Sequence, residues 1–219
     1  MVRKHPKEVL IAIGARFAEG GNYYIFTVFI LTYLSEQLDL SRQVGLTGVM
    51  IAAAVDIAVI PLWGALSDRV GRRPVFIGGA LFMAAFAGPF FLMVDTRSPV
   101  LICLALVLMM ALGHGAVFGP LAAFYAELFP ARVRYSGVSV GYQAGSVVLG
   151  GFTPMLATSV VLWSGGASWS LMALVAAGAL IAAATMAVAP ETFRRSLDAE
   201  AGAAARDGAV SREAVTTPT

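Results

Sequence analysis

The stretch Gly64–Val75, "GALSDRVGRRPV", puts four charges into the six residues from Asp68 to Arg73, with long apolar runs on both sides. Its surroundings make this unusual. The 219-residue chain is 58% hydrophobic and only 13% charged, with mean hydropathy +0.80. A soluble domain carries about 25% charged residues. The chain therefore reads as a membrane protein with several spans, and the charged stretch as a loop between two of them.

Working outward from that loop, apolar segments recur at 9–34, 44–66, 74–94, 99–120, 136–162 and 169–189. Each approaches the length of about 20 residues that a helix needs to cross the hydrocarbon core. Strand alternation is missing, which argues against a membrane β-barrel. The expected fold is an all-α membrane protein: a bundle of six transmembrane helices over residues 1–190. Residues 191–219, rich in Ala, Glu, Asp and Arg, are expected to form a disordered cytoplasmic tail. The one cysteine, Cys103, lies in an apolar run and does not suggest a disulfide.

Lys and Arg in the loops give an orientation, since they concentrate on the cytoplasmic side. Arg3, Lys4 and Lys7 precede the first segment. Arg69, Arg72 and Arg73 follow the second, Arg132 and Arg134 the fourth, and Arg194 and Arg195 the sixth. The other side holds Arg42 and Arg97. Both termini are expected inside the cell, with the chain in the cell (inner) membrane. This topology accounts for Arg69, Arg72 and Arg73 but not for Asp68, Gly64 or Gly71. An acid at a helix C-terminus opposes the helix dipole unless a cation or another helix N-terminus compensates. Gly64 would allow close approach of a neighbouring helix, and Gly71 suits a turn with positive φ.

Ionisable residues inside a span are costly and usually face protein or a water-filled cavity. Arg16 and Glu19 lie three residues apart on one helical face, and Tyr23 continues it. With about 1.5 Å of rise per residue, Glu19 lies roughly 18 Å beyond Lys7, near the span centre. Arg16 could pair with a substrate carboxylate through its planar fork, and Glu19 could carry a proton or serve as counter-ion. The alternative is a structural ion pair. Asp56 stands alone in the second segment, where desolvation favours the neutral carboxyl and suits a proton carrier. Otherwise it would face water or pair with a group of the fifth span. His114, in "LGHG", is a further proton candidate, or it simply bonds across a glycine bend. Tyr142 and Gln143 are weaker substrate candidates. Metal-ligand clusters, phosphate loops and nucleophile–base pairs are absent from the sequence, so neither an enzyme, a metal, a cofactor nor a nucleic-acid partner is expected.

With Gly64, Asp68, Arg69, Gly71, Arg72 and Arg73, the opening loop resembles the signature loop of the major facilitator superfamily. "ELFPARVR", with Glu127 and Arg134, and "PETFRR", with Glu191 and Arg194, resemble further parts of its cytoplasmic charge network. "GARFAEGGNYYIFTVFILTYL", "LGHG" and "RYSG…GYQ" are similar to shikimate-type members of the metabolite:proton symporters. The resemblance covers residues 3–195 and the second half of a twelve-helix fold. It implies a gate latch built from the network, H+ as the coupling ion, a small organic acid as substrate, and a partnering six-helix half. It also implies a truncated or split transporter, with a proline/betaine-type zwitterion symporter or an inactive fragment as the alternatives.

Overall fold

The computed structural model describes residues 6–131 and 133–192, and among them helices and short turns account for the chain, with no strand. Five helices are long and apolar enough to cross a membrane: Arg42–Val70, Arg72–Asp95, Pro99–Leu128, Arg134–Trp163 and Trp169–Val188. They are called helices two to six. Helix one is built from Pro6–Arg16, Phe17–Gly21, Asn22–Tyr24, Ile25–Phe29 and Ile30–Glu36, which follow one another directly.

Helix one differs from the other five for a physical reason. Arg16, Glu19 and Asn22 interrupt its apolar run, and all three are buried against protein. Helices four and five, six, and the short contacts of helix two surround it, so a uniformly lipid-facing composition is not required of it. It also departs from regular α geometry. Phe17–Gly21 and Ile25–Phe29 are π-helical, as is Met109–His114 within helix four. Such wider turns are rare and recur at functional sites.

Local chemistry sets the boundaries. The Ser41 hydroxyl accepts from the Gln43 N–H at 3.3 Å and caps helix two. Pro99 opens helix four, where a missing N–H costs nothing. Helix two ends at Gly71, whose N–H donates to the Ser67 carbonyl at 3.0 Å and whose φ is +111°. That backbone conformation lets helix three begin one residue later.

Helix three packs along helix six, helix two along helix four, and helix one between helices five and six. Phe26, Phe76, Phe90, Phe91, Phe124 and Phe129 are among the fully buried side chains. Phe90 bridges two of them, with ring centroids 5.2 Å from Phe26 and 5.0 Å from Phe91. Large apolar residues such as Met50, Ile57, Leu92, Val100 and Val147 are exposed. In lipid this is the expected arrangement, because the solvent is as apolar as the core.

The start of the expected disordered tail is corrected. Glu191 and Thr192 are ordered, and Thr192 is fully buried because its side chain and the Glu191 carboxylate both find partners in the bundle. Residues 193–219, including Arg194, lie outside the described residues.

Candidate functional site

The candidate residues fall into three clusters along the bundle. The first gathers where helix two turns into helix three. Arg72 is its hub. Its Nη2 donates to Glu127 Oε1 at 3.0 Å and its Nη1 to the Ser67 hydroxyl at 2.8 Å. The same guanidinium forms an ion pair with Asp68, one helical turn earlier. Hydrogen bonds and charge from Glu127 and Asp68 offset the cost of burying this guanidinium. Glu127 also accepts from the Thr192 hydroxyl at 2.6 Å. The Glu191 carboxylate accepts from the backbone N–H groups of Arg72 and Arg73, at 3.1 and 3.2 Å. Arg73 turns the other way, donating from Nε to the Met186 carbonyl at 3.0 Å and pairing also with the Ala187 carbonyl.

Asp68 thus has its compensating cation close by in sequence. It faces Arg72 across the Gly71 turn, where helix two ends and helix three begins. Glu127 and Glu191 reach Arg72 as well. Asp68 and Arg69 remain largely exposed. Gly64 lies where helix two crosses helix four: a Cβ on Gly119 would come within 2.9 Å of the Gly64 nitrogen.

The second cluster surrounds Arg16. It forms an ion pair with Glu19, and its Nη2 donates to the Ser146 hydroxyl of helix five at 2.7 Å. Its guanidinium carbon stands 4.0 Å from the Tyr142 ring centroid, a cation–π arrangement. The Arg16 Nε is buried and has no hydrogen-bond partner. Gly145 makes room for the side chain, since a Cβ there would lie 2.7 Å from Arg16 Cγ. Tyr142 also lines an open cavity of about 710 Å³, together with Arg134, Tyr135 and Gln143. Arg16 thus sits behind a cavity wall, with a spare donor.

The third cluster joins Asp56 and His114. Asp56 is not isolated, as its sequence surroundings suggested, nor does it pair with the fifth span. Its Oδ2 lies 2.7 Å from Nδ1 of His114, the last residue of the Met109–His114 π turn in helix four. Tyr23 joins this cluster, with its ring centroid 4.5 Å from that of His114. The wider turn at Phe17–Gly21 separates it from the face of Arg16 and Glu19.

Two polar ties escaped sequence reasoning. Asp95 accepts from the Tyr33 hydroxyl at 2.9 Å and the Ser168 hydroxyl at 2.6 Å, binding helices one, three and six at the end opposite Arg72. Asn22 donates from Nδ2 to the Val175 carbonyl at 3.1 Å. Both sets of partners are remote in sequence. The only local signal was a polar residue standing in or beside an apolar run.

Apolar helices that enclose buried charge, tied at one end by an arginine–carboxylate network, mark a multi-pass membrane protein. Residues 2–201 match the sugar (and other) transporter family, and the chain belongs to that family, within the major facilitator superfamily. It is 34% identical over 191 residues to a shikimate transporter of Escherichia coli (strain K12), covering 87% of this chain and 44% of that protein. A citrate-proton symporter of Klebsiella pneumoniae is 33% identical over 65% of this chain and 32% of its own length. A proline/betaine transporter of Salmonella typhimurium (strain LT2) is 34% identical over 72% of this chain and 31% of its own length. The chain thus spans less than half the length of these relatives.

Proposed function

We propose that this chain forms one six-helix half, the C-terminal one, of a proton-coupled symporter for a small organic acid such as shikimate or a related carboxylate. Helix one is the first span of that half and completes its six, and both termini face the cytoplasm of a cell (inner) membrane. Transport proceeds by alternating access against a second six-helix half, with substrate held near the midplane between the two. The Arg72 network, with Asp68, Glu127 and Glu191, latches the cytoplasmic end.

The observation that carries this reading is Arg16. It is a buried guanidinium with an unsatisfied Nε, beside a cavity wall and inside a span. A carboxylate is the ligand whose geometry fits that fork. Similarity to a shikimate transporter and a citrate-proton symporter supports the same substrate class and the coupling ion. The test is uptake of labelled shikimate, citrate and betaine by the intact transporter in membrane vesicles under an imposed pH gradient. Acid uptake that rises with the gradient and is lost in Arg16→Gln is expected. Transport of betaine alone, indifferent to competing acids, would defeat the reading.

That second outcome has an observation in its favour. The paired Arg16 and Glu19 offer both charges beside the Tyr142 face, which also suits a zwitterion, and a proline/betaine transporter is among the relatives.

A further inference from the structure

Asp56 stands midway along helix two, between Arg42 and Val70. It and His114 are buried even with nothing packed against the outer faces of the bundle, at 4% and 5% exposure. Their 2.7 Å contact holds one proton between carboxylate and imidazole. With that proton alone, the pair carries one negative charge at mid-membrane, and Asp56 Oδ1 has no hydrogen-bond partner. A charge there is costly and needs water or a cation. One further proton, on the second imidazole nitrogen or on Oδ1, makes the pair neutral.

The groups around the pair come from helices one to four. Tyr23 is the titratable group that helix one brings against the pair. Arg16 and Glu19 are the next charged residues on the same helix. Phe118 also stacks on His114, with centroids 5.3 Å apart. Trp63 does not serve the carboxylate; its indole N–H donates to the Ala111 carbonyl at 2.7 Å. Gly115 keeps the space beside Oδ1 free of a side chain, since a Cβ there would stand 3.1 Å away. Helix three supplies apolar Met83 behind Gly113.

We propose that the Asp56–His114 pair is the proton-binding site of the transporter and holds one transported proton per cycle, while Arg16 and Glu19 belong to the substrate. This rests on the symport reading above. The proton arrives from outside water, neutralises the pair and permits closure around it. It leaves to inside water after the bundle opens, and the pair returns to its single negative charge.

The test compares Asp56→Asn, His114→Asn, Glu19→Gln and Arg16→Gln in the intact transporter, reconstituted at clamped zero potential. Two readouts are accumulation driven by a pH gradient and counterflow of labelled shikimate, which needs no net proton movement. Asp56→Asn and His114→Asn should lose accumulation and keep counterflow, Glu19→Gln should weaken both together, and Arg16→Gln should lose both. Asp56→Ala and His114→Gln serve where a first variant does not reach the membrane. Accumulation that survives in Asp56→Asn, or counterflow-only behaviour in Glu19→Gln, would overturn the assignment. So would loss of both readouts in an Asp56 or His114 variant that is present in the membrane. Infrared difference spectra of a pH jump need no substrate and so separate this site from the substrate reading. The carboxyl and imidazole bands should vanish together in either variant, and spectra unchanged by both would reject the site.

Discussion

Glu191 closes the N-terminus of helix three: its two carboxylate oxygens take the N–H groups of Arg72 and Arg73, at 3.1 and 3.2 Å. An anion at this end satisfies free donors and meets the positive pole of the helix. Glu191→Ala should therefore destabilise the bundle by ~0.5–2 kcal/mol, the range for loss of a helix cap. Thermal unfolding in detergent reads this as a lower midpoint. Gly71→Ala should act in the same direction, because its φ is +111° and its Cβ would lie 2.8 Å from Glu191 Oε2. An unchanged midpoint in both variants would show that the cap contributes nothing.

Arg72 and Glu127 form a buried ion pair whose parts depend on each other. Removing one partner strands the other charge, at a cost of ~3–5 kcal/mol, whereas replacing both with apolar residues is often neutral. Arg72→Met and Glu127→Leu should each lower folded yield, and the double variant should recover much of it. Transport should not recover, if the pair is part of the latch. Additive losses in the double-variant cycle would deny the coupling.

Much of this layout was legible in the chain, for a reason particular to its solvent. Lipid offers no hydrogen bonds, so a span must be a continuous apolar helix, and helices two to six are plain in the apolar runs. Helix one was harder to read in detail. Its π turns each absorb a residue to fit tertiary neighbours, and no local pattern encodes that. The Asp68–Arg72 contact is local, four residues apart across the Gly71 turn. The bond from Arg72 to Glu191 spans 119 residues, and that from Asp56 to His114 spans 58. Such partners are chosen by which helices pack together. The sequence supplied the polar residues but not their pairing, so Asp56 looked isolated and Asp95 was not among the candidates.

Arg16→Lys tests the geometry of the second cluster. Lysine keeps the charge but loses the planar fork, the Ser146 bond in its present form and the stacking on Tyr142. A charge-assisted hydrogen bond contributes about 1.5–3 kcal/mol, so apparent affinity for a carboxylate substrate should fall by roughly tenfold or more. Initial-rate uptake against substrate concentration measures it. An unchanged apparent affinity would make Arg16–Glu19 a structural pair.

The crossing of helices two and four gives the last prediction, and it turns on an asymmetry between two glycines. A Cβ on Gly64 would meet the Gly119 carbonyl oxygen at 3.5 Å, an ordinary contact. A Cβ on Gly119 would meet the Gly64 nitrogen at 2.9 Å and the Ile60 carbonyl oxygen at 3.0 Å, both backbone atoms that cannot rotate aside. Gly119→Ala must push the helices apart, at ~1–3 kcal/mol for overpacking. Gly64→Ala has room. The glycine of the opening motif should therefore be the more tolerant of the two in thermal unfolding. Equal losses from both, or a greater loss at Gly64, would mean that the crossing is set elsewhere. The separation also reaches the proton pair, because Asp56 and His114 lie on these same two helices. Gly119→Ala should lengthen their 2.7 Å contact and weaken gradient-driven accumulation more than counterflow.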